Sequence, residues 1–361
     1  MPNAPRSQPP PGVARAMDAS LNRAAEGARV VEDYARFVLD DAGLSRRAKE
    51  LRHGVAAAGA ALPIAARLAV RDTPGDVGTT ITTPSEASRA SAWDVCLASL
   101  GRLQESLRSL EEFGKMLDPA TGARFELLRY DAYTLASALG AAGRSAERLG
   151  GARLYVLVGC RASEADFASL VESITGAGAD VVQLRDKRAD DRTLVQRARR
   201  LAAICRERGA VSVVNDRADI ALAAGADGVH VGQEELSVAD ARRVVGAGRL
   251  VGVSTHSLDQ ARAAIAAGAD YLGVGPTFPS KTKAFDAFPG LDFVRQVAAE
   301  TSLPAFAIGG VDPRNVDQVV AAGLCRVAVG LAVTDAANPA AAVAELKSRL
   351  TAPVGADDQA S

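Results

Sequence analysis

The stretch "AGADVVQLRDK" (177–187) determines the fold, because its first part recurs along the chain. The tetrapeptide "AGAD" occurs again at 224–227 and 267–270, each time before a short apolar run, and "AGLC" at 322–325 is a variant of it. A glycine in such a position ends a helix in the left-handed conformation and lets the chain enter the next strand. The recurrence therefore predicts a repeated unit of helix, turn and strand in the C-terminal part of the chain.

Eight short apolar runs alternate with amphipathic segments in this part of the chain. They lie at 154–159, 180–184, 211–214, 228–231, 250–254, 270–275, 304–309 and 326–330. Eight strand–helix units within about 200 residues predict a closed (β/α)8 barrel of the TIM type. An open doubly wound sheet is the alternative, but the even number of units and their internal similarity favour closure. We therefore expect an α/β barrel domain over 153–350.

The residues before the barrel have the pattern of an all-α domain, over 13–149. Apolar residues spaced by four and three, beginning with Met17, Leu21 and Ala24, predict one buried helix face. Four helices are expected, roughly at 17–40, 44–70, 86–117 and 120–146. They would form a small bundle.

Composition and charge argue against several classes of protein. The 361 residues carry a net charge of −1, which gives no general reason to expect a nucleic-acid partner. The four cysteines form no CxxC pair, so neither a structural metal site nor a disulfide framework is expected. No apolar run reaches the roughly 18 residues of a membrane span, and the Pro-rich start has no apolar core of a secretory signal. We expect a cytoplasmic protein with small-molecule substrates, disordered over 1–12 and 351–361. The composition is compatible with a homo-oligomer.

Charged residues follow several of the predicted strands, where barrel enzymes place their chemistry. The cations at this end are Arg185, Lys187 and Lys283, and the carboxylates are Asp216 and Glu235. Carboxylates can hold Mg²⁺ while cations neutralise phosphate oxygens. The pattern therefore predicts a site for a metal-bound diphosphate.

Glycines after the last two strands predict a second anion site. Gly309 and Gly310 follow strand 7, Gly330 ends strand 8, and their backbone N–H groups suit a phosphate ester. His230 lies inside strand 4 and is expected in the core. His256 is expected to be a polar residue at the start of a helix, with a catalytic role as the alternative.

Five motifs of the barrel resemble those of the thiamine phosphate synthase family. They are "QLRDK", "VNDRADIALAAGADGVHVGQEEL", "GVSTHS", "DYLGVGPTFPSKTK" and "AIGG", in the family's order and spacing over roughly 153–350. The family joins hydroxymethylpyrimidine diphosphate to a thiazole phosphate, with Mg²⁺ assisting the departure of diphosphate. The resemblance implies a transferase of thiamine biosynthesis.

The resemblance also implies a role for each matching residue. Contacts to the diphosphate fall on Arg185, Lys187, Asn215, Ser254 and Lys283. Gln183 would lie beside the pyrimidine, and Mg²⁺ would be held by Asp216 and Glu235. The thiazole substrate would contact Ser280 and Thr282, and its phosphate would contact Gly310 and Gly330. Arg185, Lys187 and Lys283 would be the catalytic cations.

Two positions depart from the family pattern. Glu235 stands where the second metal ligand is usually Asp, and Leu331 stands where the strand-8 loop often carries Ser. An aminothiazole tautomerase shares the fold without the diphosphate chemistry, and a non-catalytic sensor of phosphate ligands is a further alternative. The retained cations and carboxylates favour the synthase.

The segment "DASLNRAAEGARVVEDYARFVLDDAGLSRRAKELRH", with "RDTPGDVGT" after it, resembles a helical domain fused to thiamine phosphate synthases. That domain is associated with an alternative hydroxymethylpyrimidine phosphate kinase, which implies ATP as a substrate. The candidate site residues are Asn22, Arg23, Arg71, Asp72, Asp76 and Thr79. The chain has no P-loop and no protein-kinase signature. A dimerisation or regulatory domain, whose polar helix face is simply solvated, is therefore the alternative.

Overall fold

The structure, a computed structural model, describes residues 9–71, 88–279 and 289–351. The chain divides into two compact units, Met1–Leu139 and Gly140–Ser361. We call them the helical unit and the barrel unit. Among the described residues, no helix is both long enough and apolar enough to cross a membrane.

The helical unit is built around its first helix. The helices are α1 (Pro11–Asp33), which continues as one π-helical segment (Tyr34–Val38), α2 (Ala42–Gly59), α3 (Ile64–Ala69), α4 (Ala92–Gly114) and the first part of α5 (Pro119–Leu149). The predicted apolar face of α1 is buried, including Met17, Leu21 and Ala24. At Gly27 a Cβ atom would lie 2.8 Å from the carbonyl oxygen of Ser99, so glycine allows α1 and α4 to approach closely.

Three helix boundaries differ from the prediction. Helix α1 begins at Pro11, within the residues expected to be disordered, because proline fits the first turn, where its missing N–H is not needed. The single helix expected over 44–70 is interrupted before Pro63, whose ring cannot continue a helix from the preceding turn. The third helix begins at Ala92, capped by Ser91 Oγ, which accepts the N–H of Asp94 at 3.1 Å.

The barrel unit confirms the predicted closed barrel of eight parallel strands. The strands are β1 (Leu154–Val158), β2 (Val181–Leu184), β3 (Val211–Asn215), β4 (Gly228–Val231), β5 (Leu250–Thr255), β6 (Tyr271–Val274), β7 (Ala305–Ile308) and β8 (Val327–Val329). Strand β8 pairs with β1 and closes the barrel, with Leu154 opposite Val327.

Nine described helices follow the strands. They are α6 (Glu164–Gly176), α7 (Asp191–Arg208), α8 (Ala218–Ala224), α9 (Val238–Val245), α10 (Leu258–Ala266), α11 (Gly290–Glu300), α12 (Val316–Ala321), α13 (Leu331–Thr334) and α14 (Pro339–Thr351). The glycines of the repeated tetrapeptides have the predicted left-handed conformation, with φ of 109° at Gly178, 69° at Gly225 and 82° at Gly268.

The aspartates of the repeat form hydrogen bonds at the amino ends of the strands, which is the end of the barrel opposite the predicted site. Each accepts hydrogen bonds at the start of the strand before its own: Asp180 from the N–H groups of Arg153 and Leu154, Asp227 from the N–H and Oγ of Ser212, and Asp270 from the N–H of Val251. The repeat therefore sets the relative position of paired strands as well as ending helices.

The last turns of α5 pack on this same end of the barrel. Arg144 Nε donates to Asp270 Oδ1 at 3.1 Å, and Arg148 Nη2 donates to Asp227 Oδ1 at 2.6 Å. Residues 140–149, which the sequence placed in the helical domain, thus lie within the barrel unit.

Candidate active site

Three predicted site residues meet at the carboxyl ends of the strands. Lys187, which follows β2, places its Nζ 3.4 Å from Asp216 Oδ2 after β3 and 3.7 Å from Glu235 Oε1 after β4. The side chain of Lys187 is 58% exposed, so the group is accessible from the barrel mouth. Closure of the barrel brings together residues that are far apart in sequence.

Local backbone geometry positions both carboxylates. Asp216 has a φ of 61°, a left-handed conformation that Asp tolerates better than most residues, and its N–H donates to the carbonyl of His230 at 2.8 Å. A Cβ atom at Gly232 would lie 2.3 Å from Glu235 Oε2. Glycine therefore leaves the space through which the longer Glu235 side chain folds back over the strand end.

The donor set at this position is chemically suited to Mg²⁺. Asp216 and Glu235 provide hard carboxylate oxygens close enough to share one ammonium group. The described residues contain no group of three or more His, Cys, Asp and Glu side chains that could hold a metal. Mg²⁺ usually takes only one or two protein carboxylates and completes its coordination with water and substrate phosphate. The pair could thus hold Mg²⁺ together with a phosphorylated ligand.

Two other predicted residues belong to a buried hydrogen-bonded chain. Gln183 Nε2 donates to Tyr155 Oη at 2.8 Å, and the hydroxyl oxygens of Tyr155 and Tyr271 lie 3.0 Å apart. Tyr271 Oη lies 3.2 Å from His230 Nδ1, and His230 Nε2 lies 2.9 Å from Ser254 Oγ. His230 is buried as predicted, but it also contacts a site residue. Neither tyrosine was predicted from the sequence, although the hydroxyl of Tyr271 on the first residue of the buried strand β6 was a usable signal.

Burial determines the protonation states of His230 and Tyr271 in this series of hydrogen-bonded side chains. The pKa of His230 is lowered to about 4, first because burial disfavours the charged imidazolium and second because Arg185 is positively charged. Burial also raises the pKa of Tyr271 well above its usual range. The imidazole and the phenol are therefore neutral near pH 7.

The glycines of the predicted phosphate site differ from one another. At Gly310, with φ of 68°, a Cβ atom would lie 2.7 Å from the carbonyl oxygen of Pro279, so packing alone requires glycine there. At Gly330 a Cβ atom would meet nothing nearer than Leu157 Cβ at 4.0 Å. Leu331, next to it, is 55% exposed. Packing therefore does not require glycine at position 330, and the absence of a side chain there leaves open space at the barrel mouth.

The other predicted barrel residues lie as follows. Arg185 is exposed directly after β2, and Asn215 is the last residue of β3, paired with His230. His256 Nδ1 lies 2.6 Å from the carbonyl oxygen of Gly275, which supports its structural interpretation. Ser280, Thr282 and Lys283 lie outside the described residues.

In the helical unit, the candidate residues Asn22 and Arg71 belong to a cluster around the buried carboxylate of Asp18. Arg67 donates to Asp18 Oδ1 at 2.8 Å and to Asn22 Oδ1 at 3.3 Å, and Arg71 Nη2 donates to Asp18 Oδ2 at 2.7 Å. Burial acts to raise the pKa of Asp18, but the hydrogen bonds and charges of both arginines outweigh it and hold that pKa below its usual value. Asp18 and Arg67 were not predicted from the sequence, although Asp18 lies one helical turn before Asn22.

The remaining candidates of this unit are not part of that cluster. Arg23 is exposed on α1, and Asp72, Asp76 and Thr79 lie outside the described residues. Arg29 and Asp33 form an exposed ion pair at 3.2 Å, as expected for a solvated helix face.

Both the barrel unit and the helical unit match known protein families. A family model described as thiamine monophosphate synthase matches residues 154–333, and the ThiD2 family model matches 15–138. Thiamine-phosphate synthase of Rhodopirellula baltica is 45% identical over 88% of this chain and 87% of its own, and that of Synechocystis sp. is 41% identical over 95% and 97%. A solved thiamine phosphate pyrophosphorylase from Pyrococcus furiosus is 33% identical and covers 55% of this chain and 95% of its own, with a TM-score of 0.49. The chain belongs to the thiamine-phosphate synthase family.

Proposed function

We propose that the barrel unit condenses hydroxymethylpyrimidine diphosphate with a thiazole phosphate to give thiamine phosphate and diphosphate, or with its carboxylated form to give the same products and carbon dioxide. The observation that carries this proposal is the meeting of Lys187, Asp216 and Glu235 at the barrel mouth. The relatives named thiamine-phosphate synthase, which match nearly the whole chain, support the same reaction.

The proposed reaction is a substitution at the pyrimidine methylene carbon. The carbon–oxygen bond to diphosphate breaks, and its electron pair leaves with the diphosphate. The cation that forms is stabilised by the aminopyrimidine ring, and the lone pair of the thiazole nitrogen then forms the new carbon–nitrogen bond. With the uncarboxylated thiazole phosphate, no proton has to be transferred in these steps. A site rich in charge and without a general base is therefore sufficient.

The protein residues act mainly on the leaving group. Lys187, Arg185 and Lys283 neutralise the diphosphate, and Asn215 and Ser254 donate hydrogen bonds to it. Asp216 and Glu235 would hold Mg²⁺, which when bound supplies further stabilisation of the developing negative charge.

The other substrate contacts follow the same assignment. Gln183 contacts the pyrimidine, and Ser280 and Thr282 contact the thiazole. Gly310 and Gly330 offer backbone N–H groups to the thiazole's phosphate.

We also propose that the helical unit phosphorylates the pyrimidine monophosphate with ATP and so produces the diphosphate that the barrel consumes. The ThiD2 family match supports this proposal, as does the cluster of Asn22, Arg67 and Arg71 around buried Asp18. A non-catalytic dimerisation or regulatory role of the unit is the alternative.

One pair of incubations tests both proposals. The full-length protein is given thiazole phosphate and Mg²⁺, with either the pyrimidine diphosphate alone or the pyrimidine monophosphate and ATP. Thiamine phosphate in the first incubation supports the synthase, and its absence there contradicts it. Product in both supports the kinase as well, whereas product only with the preformed diphosphate leaves a monofunctional synthase.

A further inference from the structure

A continuous chain of hydrogen-bonded side chains crosses the interior of the barrel. It runs from Gln183 on β2 through Tyr155 on β1, Tyr271 on β6 and His230 on β4 to Ser254 on β5. Gln183 and the three inner residues are buried, and Ser254 is partly buried. Gln183 and Ser254 are the two members that are proposed to contact substrate. Because the three inner residues link Gln183 to Ser254 in series, each of them can influence the hydrogen bonds that these two side chains make.

The contacts give this chain one direction of proton donation. Gln183 Nε2 can only donate, so Tyr155 Oη accepts its hydrogen bond. The hydroxyl proton of Tyr155 then points to Tyr271 Oη, and the hydroxyl proton of Tyr271 points to the lone pair of His230 Nδ1. A neutral imidazole that accepts at Nδ1 carries its proton on Nε2, which donates to Ser254 Oγ.

The opposite direction leaves a buried hydroxyl without an acceptor. If Tyr271 donated to Tyr155, the Tyr155 oxygen would receive two protons, from Gln183 and from Tyr271. Among the described residues, Tyr155 Oη has no other hydrogen-bond partner for its own proton. Because an unpaired buried hydroxyl is destabilising, the direction from Gln183 to Ser254 is favoured.

We propose that Tyr271 and Tyr155 are positioning residues that fix the hydrogen-bonding character of Gln183 and Ser254 towards substrate. Ser254 already accepts from His230, so it presents its hydroxyl proton to the mouth as a donor. Gln183 uses Nε2 within the chain, so it presents Oε1 as an acceptor. A donor suits a phosphate oxygen, and an acceptor suits the exocyclic amine of an aminopyrimidine. This inference rests on the proposed synthase function.

The two tyrosines should affect different ends of the chain. Tyr271→Phe removes one hydroxyl and keeps the ring that packs against Phe306, at 5.9 Å between centroids. It breaks the link to His230 and so releases the orientation of Ser254. Tyr155→Phe breaks the link to Gln183, but Tyr271 can still donate to His230. Tyr130→Phe, on an exposed residue of α5, is the matched control.

The experiment combines steady-state kinetics with ¹⁵N NMR of the His230 ring in the full-length protein. We expect His230 in the wild type to carry its proton on Nε2, to keep it there in Tyr155→Phe, and to show both tautomers in Tyr271→Phe. We expect kcat/KM for the pyrimidine diphosphate to fall about tenfold in each variant, the effect of one hydrogen bond, and to be unchanged in Tyr130→Phe.

Two results would overturn the inference. One is an Nδ1–H tautomer of His230 in the wild type. It would reverse the direction of every hydrogen bond in the series, so that Tyr155 would donate to Oε1 of Gln183 and the amide would be rotated. The other is wild-type kcat/KM in an equally well-folded Tyr271→Phe variant. The tautomer is measured without turnover, so the two proposals can fail separately. If His230 has the predicted tautomer but the protein has no synthase activity, the proposed function is contradicted and the direction of the hydrogen bonds is not.

Discussion

The ammonium of Lys187 lies 3.4 Å from Asp216 Oδ2 and also contacts Glu235. A positive charge thus already lies between the two carboxylates that are proposed to hold Mg²⁺. An ammonium and a divalent cation at the same carboxylates repel each other. If Mg²⁺ binds to these carboxylates, Lys187, whose side chain is largely exposed, would turn away from them and towards the proposed diphosphate.

Lys187→Met should separate these two roles of the lysine. Without the competing ammonium we expect Mg²⁺ alone to bind several-fold more tightly, since a charge at this distance contributes about 1 kcal/mol even in a water-like environment. We expect kcat for thiamine phosphate formation to fall at least about a hundredfold, as for loss of a charged group that stabilises a leaving group. Calorimetric titration with MgCl₂ and a product assay measure the two effects. Weaker metal binding together with normal turnover would contradict both roles.

Asp216→Asn should weaken the synthase in a way that depends on Mg²⁺. The amide removes one negative charge from the proposed metal site, so the concentration of Mg²⁺ for half-maximal activity should rise about tenfold or more, with partial recovery at high Mg²⁺. The measurement is activity against MgCl₂ concentration. Asp259→Asn, on a carboxylate that is almost fully exposed on α10, is the control and should behave as wild type. If neither wild type nor variant responds to Mg²⁺, the metal has no part in the reaction.

Leu331→Ser should improve the site for the thiazole phosphate. Leu331 is exposed beside Gly330, where the family often has a serine, so the change leaves no cavity in the core. The new hydroxyl can donate to the phosphate, and one such hydrogen bond should lower KM for the thiazole substrate by about threefold to tenfold. Steady-state kinetics with varied thiazole phosphate measures this effect. An unchanged KM would place the phosphate away from the strand-8 loop.

Asp270→Asn should destabilise the barrel without a direct effect on the site. Asp270 is fully buried at the opposite end, where it accepts the N–H of Val251 and pairs with Arg144 and Arg242. Removing its charge leaves two guanidinium groups without their partner, and we expect a loss of about 3 kcal/mol in the free energy of unfolding. Urea unfolding measures the loss, and KM below the transition should stay normal. A smaller loss than in exposed Asp259→Asn would show that the repeat aspartates do not hold the strands.

The sequence predicted those features that depend on local pattern and on closure. The apolar runs and the glycines of "AGAD" placed each strand to within about one residue, because a short buried strand and a left-handed glycine leave a clear local signal. Closure then requires the ends of β2, β3 and β4 to share one rim. That is why Lys187, Asp216 and Glu235 were predicted together and are found together.

Features that depend on long-range register were not predictable in the same way. Tyr155 and Tyr271 are 116 residues apart, and their contact follows from how the strands stagger inside the barrel. Asp18 meets Arg67 and Arg71 only after α3 turns back on α1. The break before α3 was missed because the alanine-rich residues around Pro63 keep a helical apolar pattern on both sides of the proline.

His230 should make the stability of the barrel depend on pH between about 4 and 6.5. Its pKa is lowered to about 4 in the folded protein, whereas an exposed histidine has a pKa near 6.5. In this interval the unfolded chain binds a proton that the folded barrel does not, so the contribution is complete above pH 6.5 and is lost as the pH falls. Between pH 7 and pH 5 we expect the free energy of unfolding to decrease by about 2 kcal/mol from this group.

The comparison of wild type with His230→Gln isolates this effect from other titrating groups. Glutamine keeps a polar side chain of similar reach but does not titrate, so urea unfolding of the variant should lose less stability than wild type over the same pH interval. The difference between the two losses of unfolding free energy should approach the whole contribution of His230, because all other titrating groups are common to both proteins. Parallel curves for the two proteins between pH 7 and pH 5 would mean that His230 has the same pKa in the folded and unfolded protein, so that its ring becomes protonated in the fold as the pH falls to 5. In that state both ring nitrogens would donate, so Tyr271 would have to accept from His230 instead of donating to it.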